Sequence, residues 1–156
     1  MKEQYVDSFL KAVQDVFALM LDLRAEKTNE ENVDKFVTTD GANVTIGIRG
    51  DLSGTVLFTF PEKMALEMVK IMAGMEIDKL DNFVVSALSE VANIISGNAL
   101  SNLNGYNYSC DLDPPQVVDA GKAIPAGKEA VRLPLKTGIG EFALNIALEE
   151  DDKTGK

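Results

Sequence analysis

The chain has 156 residues, 46% of them apolar and 26% charged, with a net charge of −10 and a pI of about 4.4. That length suits one domain whose core needs neither a disulfide nor a structural metal, and the acidic balance argues against a nucleic-acid partner and an anionic membrane surface. A single cysteine, Cys110, forbids an intrachain disulfide and fits a reducing compartment, while the lack of any histidine removes imidazole metal sites and Ser-His or Cys-His catalysis.

In chain order, residues 3 to 21 are expected to form a helix. Val6, Phe9, Leu10, Val13, Val16, Phe17 and Met20 recur at helical spacing. The same stretch is acidic and amphipathic, so no signal peptide is read there, and no apolar run is judged long enough to span a bilayer. The expected location is the cytoplasm, without membrane insertion. A strand is expected over 33–39, then a hairpin in "NVTIGIRGDLSGTVLFTF". In it Val44, Ile46 and Ile48 alternate, Gly50 to Gly54 supply the turn, and the strand resumes at Thr55. Pro61 suits the first position of a helix that stops at Gly74.

Asp81 is a candidate cap for a long helix over 82–104, ending near Gly105. "YNYSCDL" (106–112) reads as a strand in which Cys110 is expected to be a small buried hydrophobe. Pro114-Pro115 interrupts any central strand, and "QVVDA" reads as a further short one. "EAVRLPLKTGIGEFALNIAL" closes as a second hairpin, and Glu149, Glu150, Asp151 and Asp152 open what reads as a mobile acidic tail over 149–156.

The two hairpins can be laid over each other, "VTIGIRGDLSGTVLF" on "VRLPLKTGIGEFAL". The chain thus reads as helix–strand–hairpin, a linking helix, and helix–strand–hairpin again. The expected fold class is α+β: a single two-half, pseudo-symmetric domain over 1–156, with a mostly antiparallel sheet covered by long helices.

The long helix carries the candidate site. Val84, Leu88, Val91, Ile95 and Ala99 form its core stripe. The opposite side holds Asn82, Ser86, Ser89, Glu90, Asn93, Gly97, Ser101 and Asn104, interrupted by Leu100. Glu90 and Asn93 are three apart and therefore neighbours, with Ser86 one turn before them and Gly97 one turn after. Solvated faces favour Lys, Glu, Gln and Arg, whereas this one is built from Ser, Asn and Gly, weaker helix formers. Two readings fit that composition: an interaction stripe from which Glu90 projects, or small residues placed for close helix packing. With no histidine and no metal cluster, the chemistry open to Glu90 and Asn93 is narrow. A carboxamide can orient a water for in-line attack on a phosphoryl group, and a carboxylate can pair with a lysine. Phosphate and metal would then come from another protein.

The pattern Ser86-x-x-x-Glu90-x-x-Asn93, followed by "IISGNAL" and later by Pro114-Pro115, resembles the signature of the CheC/CheX/FliY phosphatases of bacterial chemotaxis. The hairpin "VTIGIRGDLSGTVLFTFP" and the helix "KMALEMVKIMAGME" are similar to the corresponding segments of that family. The resemblance implies hydrolysis of the aspartyl phosphate on a CheY-type response-regulator receiver domain. It implies that Asn93 orients the attacking water and that Glu90 pairs with the receiver's lysine. Ser86, Ser89 and Gly97 would contact the partner. It implies no cofactor or metal of the chain's own, since Mg2+ would be supplied by the receiver. Members with two sites repeat the motif on the first helix. The nearest match here, Asp7, Lys11 and Gln14, has the wrong charge at Lys11 and an amide one methylene too long, so that half reads as silent. One surviving site is the CheX pattern, which implies a homodimer, with a hairpin edge as a natural pairing surface. The alternative is a non-catalytic module that binds a receiver or a flagellar switch component.

Overall fold

The structure, a computed structural model, describes residues 1–150, except the side chain of Lys128. The first helix, α1 (Glu3–Val16), runs into one π turn at Phe17–Leu21. Together they cover the expected helix, and Val6, Phe9, Val13, Val16 and Phe17 are buried as their spacing demands. Asp22 ends the turn in the left-handed region at φ 54°. A two-residue strand that the sequence did not suggest, β1 (Glu26–Lys27), comes next, then β2 (Glu31–Val37). The first hairpin is β3 (Ala42–Gly50) and β4 (Leu52–Phe60). Helix α2 (Glu62–Ala73) ends where Gly74 turns left-handed at φ 68°, a conformation that costs glycine nothing. Helix α3 spans Asn82–Asn104, matching the expected bounds. The short strands β5 (Cys110–Leu112) and β6 (Gln116–Val118) flank Pro114-Pro115, and the second hairpin is β7 (Ala123–Thr137) and β8 (Gly140–Glu150).

All strands join one antiparallel sheet in the order β1-β7-β8-β4-β3-β5, with β2 also on β7 and β6 also on β3. Each half's short strands therefore pair with the other half's hairpin. The pair Phe58↔Leu144 marks the pseudo-twofold axis at the β4–β8 junction. Moving Phe58 to Leu144 moves Val56 to Phe142 and Phe60 to Ile146, and all six side chains are buried in one core. Their partners correspond in the same way, Ala42, Val44 and Ile46 to Val131, Leu133 and Leu135, and all are buried in that core. Phe17 stacks on Phe142 at 4.9 Å and Phe142 on Phe60 at 5.3 Å, tying the end of α1 to the axis. The two-half α+β architecture read from the hairpins is the one observed.

The differences have local causes. The strand expected from Tyr106 begins only at Cys110, because α3's hydrogen-bonding continues through Tyr106 and Asn107, whose N–H groups donate to Leu103 and Asn104. Cys110 is half-buried there, not a core residue. The strand expected to resume at Thr55 resumes at Leu52, since β4 keeps pairing with β8 after it has left β3. This close passage needs Gly54, at φ 152°, where a Cβ would collide with the Ala147 carbonyl oxygen. The first two residues of the expected acidic tail belong to the sheet. Glu149 and Glu150 are the last residues of β8, paired with Ser53 and Leu52, and residues 151–156 lie outside the described residues. The hairpin strands all lie inside the sheet, so the edges are β1 and β2 on one side and β5 and β6 on the other. Contrary to the sequence reading, α3 is long and apolar enough to cross a membrane by length and composition, with 23 residues and a mean hydropathy of 1.3 over its most apolar 18. Its apolar face is here covered by α1, α2 and β3.

Candidate functional site

The site is built on α3, and α3 is held at both ends. The Asp81 Oδ1 accepts from the Val84 N–H at 3.1 Å, satisfying one of the free N–H groups of the first turn. Near the other end Asn102 donates through Nδ2 to the Ser8 carbonyl at 2.9 Å, locking α3 onto α1. Beyond the helix, the Tyr108 hydroxyl donates to Glu150 Oε1 at 2.8 Å, and Lys2 Nζ lies 3.2 Å from the same oxygen. Tyr5 meets the Tyr108 ring edge-on at 5.5 Å. The hydroxyl and the ammonium hold the Glu150 carboxyl below the usual carboxylate range. Between these fixings Val84, Leu88, Val91, Ile95 and Ala99 are buried, as their spacing predicts. Leu100 interrupts the polar side in line with Asn93 and is half-buried against the same core.

On the opposite side Ser86 and Glu90 are exposed, and Asn93 and Gly97 are half-buried. Glu90 is the one ionisable residue of α3. Among the described residues neither its carboxylate nor the Asn93 amide has a side-chain hydrogen bond or an ion pair. A carboxylate and an amide that are neighbours, accessible and unengaged can both be presented to another molecule. Gly97 decides between the two readings of the stripe: a Cβ there would meet nothing within 4 Å, so the glycine does not serve close helix packing. Ser89 differs from the rest. It lies about 100° around the helix from Glu90 and is half-buried on the flank. Phe83, absent from the expected stripe, does stand on it and is 55% exposed. Its spacing of seven residues before Glu90 was the signal that would have found it.

The first helix offers no equivalent. Lys11 is paired with Asp15 at 2.8 Å, and Gln14 donates to the Ala25 carbonyl at 3.2 Å. Both groups are engaged within the chain, and with Asp7 they border an open groove between α1 and the C-terminal end of α3. Among the described residues no three Cys, Asp or Glu side chains cluster as metal ligands.

A family profile described as chemotaxis phosphatase CheX matches residues 42–136, from β3 into β7, with the whole of α3 inside it. The chain belongs to the CheX family. Its relatives extend the match to nearly full length. The CheY-P phosphatase CheX of Thermotoga maritima is 26% identical over 153 residues, covering 96% of this chain and 98% of its own. CheX of Borrelia burgdorferi, solved in complex with CheY, BeF3 and Mg2+, is 26% identical with a TM-score of 0.70, covering 94% of this chain and 98% of its own. A CheC-like superfamily protein from Shewanella sp. PV-4 has the same fold, with a TM-score of 0.87 at 22% identity over 96% of this chain and 99% of its own. In this fold α1 and α3 lie side by side over the sheet; Lys11 and Gln14 on α1 are tied within the chain, whereas Glu90 and Asn93 on α3 are not.

Proposed function

We propose that this chain hydrolyses the aspartyl phosphate of a CheY-type receiver domain, with α3 laid across the receiver's phosphorylated pocket. The observation that carries the reading is the pair Glu90 and Asn93, unengaged on an accessible stripe in a member of a phosphatase family. Asn93 holds the attacking water in line with the phosphorus through its carboxamide, which both donates and accepts. Water attacks, the bond from phosphorus to the aspartyl oxygen breaks, inorganic phosphate leaves with the water's oxygen, and the receiver's aspartate is regenerated as a carboxylate. Glu90 pairs with the receiver's lysine and sets the distance at which Asn93 enters. Ser86 and Gly97 let the partner come close to the helix between these two side chains, and Ser89 lines the flank of the contact. The Mg2+ belongs to the phosphorylated substrate, and the chain contributes no metal or cofactor of its own. Positioning and electrostatics then supply the catalysis, which is what a largely dissociative phosphoryl transfer demands.

The protein acts in the cytoplasm, where receivers are phosphorylated, and works as a homodimer. The edge strands β1 and β2, or β5 and β6, offer the unpaired backbone for such an association, and sedimentation velocity tests it. For the activity, a CheY-type receiver from the same genome is phosphorylated with acetyl phosphate and the decay of the phosphoryl group is followed with and without this protein. Acceleration by the wild type, absent in an Asn93→Ala, Glu90→Ala double variant, is the expected result. Equal decay in both would leave only a receiver-binding module.

A further inference from the structure

Phe83 is a large apolar side chain with no place in the fold. It is 55% exposed and lies outside both the core and the half-buried apolar residues packed on it. It opens the stripe. Seven residues separate it from Glu90, which brings it to within about 20° of the same face and about 10 Å further along the axis. We propose that Phe83 is the apolar anchor on which the receiver seats, a positioning residue that holds the receiver against the stripe bearing Glu90 and Asn93.

The inference rests on the proposed reading of the site and commits to a receiver as the occupant. A stable interface takes about 800 Å² from each partner, and a round patch of that area has a radius of about 16 Å. Centred on Glu90 and Asn93, such a footprint includes Phe83. The ligand pocket of a doubly wound receiver lies outside the carboxyl ends of its strands, so a helix laid over it rests on the surrounding loops. Phe83, at one end of the stripe, meets that rim and not the reacting atoms. The rest of the stripe gives little affinity. Ser86 and Gly97 bury almost no apolar area, and an exposed charge pair at Glu90 steers more than it binds. Interfaces concentrate their binding energy in a few residues, often aromatic ones, and Phe83 is the one aromatic of α3.

Phe83→Ser and Phe83→Leu are compared with wild type and Asn93→Ala on the same phosphorylated receiver, and their binding is measured to the receiver loaded with beryllium fluoride and Mg2+. Phe83→Ser is expected to raise KM and Kd about tenfold while kcat stays within about twofold, with Phe83→Leu recovering most of the loss. The melting temperature should move little, because Phe83 is 55% exposed. An unchanged KM and Kd in Phe83→Ser, with wild type active and Asn93→Ala inactive, would overturn the anchor and leave the site standing. Conversion of a dimer into a monomer by Phe83→Ser would overturn it too, by giving Phe83 to a second copy. Wild type and Asn93→Ala alike in decay would overturn the site itself, and the anchor with it.

Discussion

Asn93 and Glu90 share a stripe but not a role, and kinetics can separate them. Asn93 acts on the attacking water, which matters in the transition state. Asn93→Ala should therefore lower kcat by about 10²-fold or more and change KM little. Glu90 acts through charge on docking. Glu90→Gln should weaken productive binding at low ionic strength, and the gap to wild type should close as salt rises, because exposed charges are screened beyond about 10 Å at 0.1 M. A gap independent of salt would mean that Glu90 does not pair with a cation. Lys11→Ala removes a side chain already tied to Asp15, so steady-state activity should be that of the wild type. At this scale the sequence displayed the pair plainly, since a carboxylate and an amide three apart on an otherwise apolar helix can be seen without coordinates. It did not display Phe83 as part of the stripe, because one aromatic at the start of a helix reads equally well as core.

Helix α3 is the element that must be approached closely, and Gly97 tests that. A Cβ at Gly97 meets nothing within 4 Å. Gly97→Ala should therefore stabilise the fold by up to about 1 kcal/mol through helix propensity. Gly97→Leu should fold as well but abolish dephosphorylation, because the side chain stands where the receiver must lie. Full activity in Gly97→Leu would show that the partner never reaches this turn. The C-terminal side of α3 carries a pH-dependent tie. Glu150 has its folded pKa depressed by the Tyr108 hydroxyl and by Lys2. It therefore contributes stability that is present above the ordinary carboxylate range and is lost as pH falls through the depressed value. Lys2 is raised by the same contacts, so its share is lost only as pH rises past the ordinary ammonium range. The protection factors of the Tyr108 and Ser109 amides, taken against the intrinsic rate at each pH, should fall on acidification in the wild type, and already be low at neutral pH in Tyr108→Phe. The bounds of α3 were legible because Asp81 caps it and its core stripe repeats regularly. The short strands after it were legible in place but not in bounds or partner, since β5 and β6 have three residues each and are defined by their pairing with β3, which no local pattern encodes.

Over the whole molecule, the pseudo-twofold sheet explains why one helix can be specialised without loss of the fold. The core runs across both halves, so α1 and α3 share the work of covering the sheet, and a core truncation such as Leu88→Ala should cost about 2–5 kcal/mol whichever helix bears the site. The two hairpins announced this duplication in the alternation of Val44, Ile46 and Ile48 and of Val131, Leu133 and Leu135. What alternation could not reveal is that each half's outer strands cross to the other half's hairpin, because strand order is a long-range property. It also failed at Leu57, which lies between inward-facing Val56 and Phe58 and is buried on the other face with Phe36 and Ala130. Catalysis as a whole stands on a water held by one amide. The most direct test is rapid-mixing release of inorganic phosphate from an acetyl-phosphate-loaded CheY-type receiver at saturating concentration, wild type against Asn93→Ala. A maximal rate lower by about 10²-fold or more in Asn93→Ala, with the affinity retained, is the expected result; equal maximal rates would contradict a water held by Asn93.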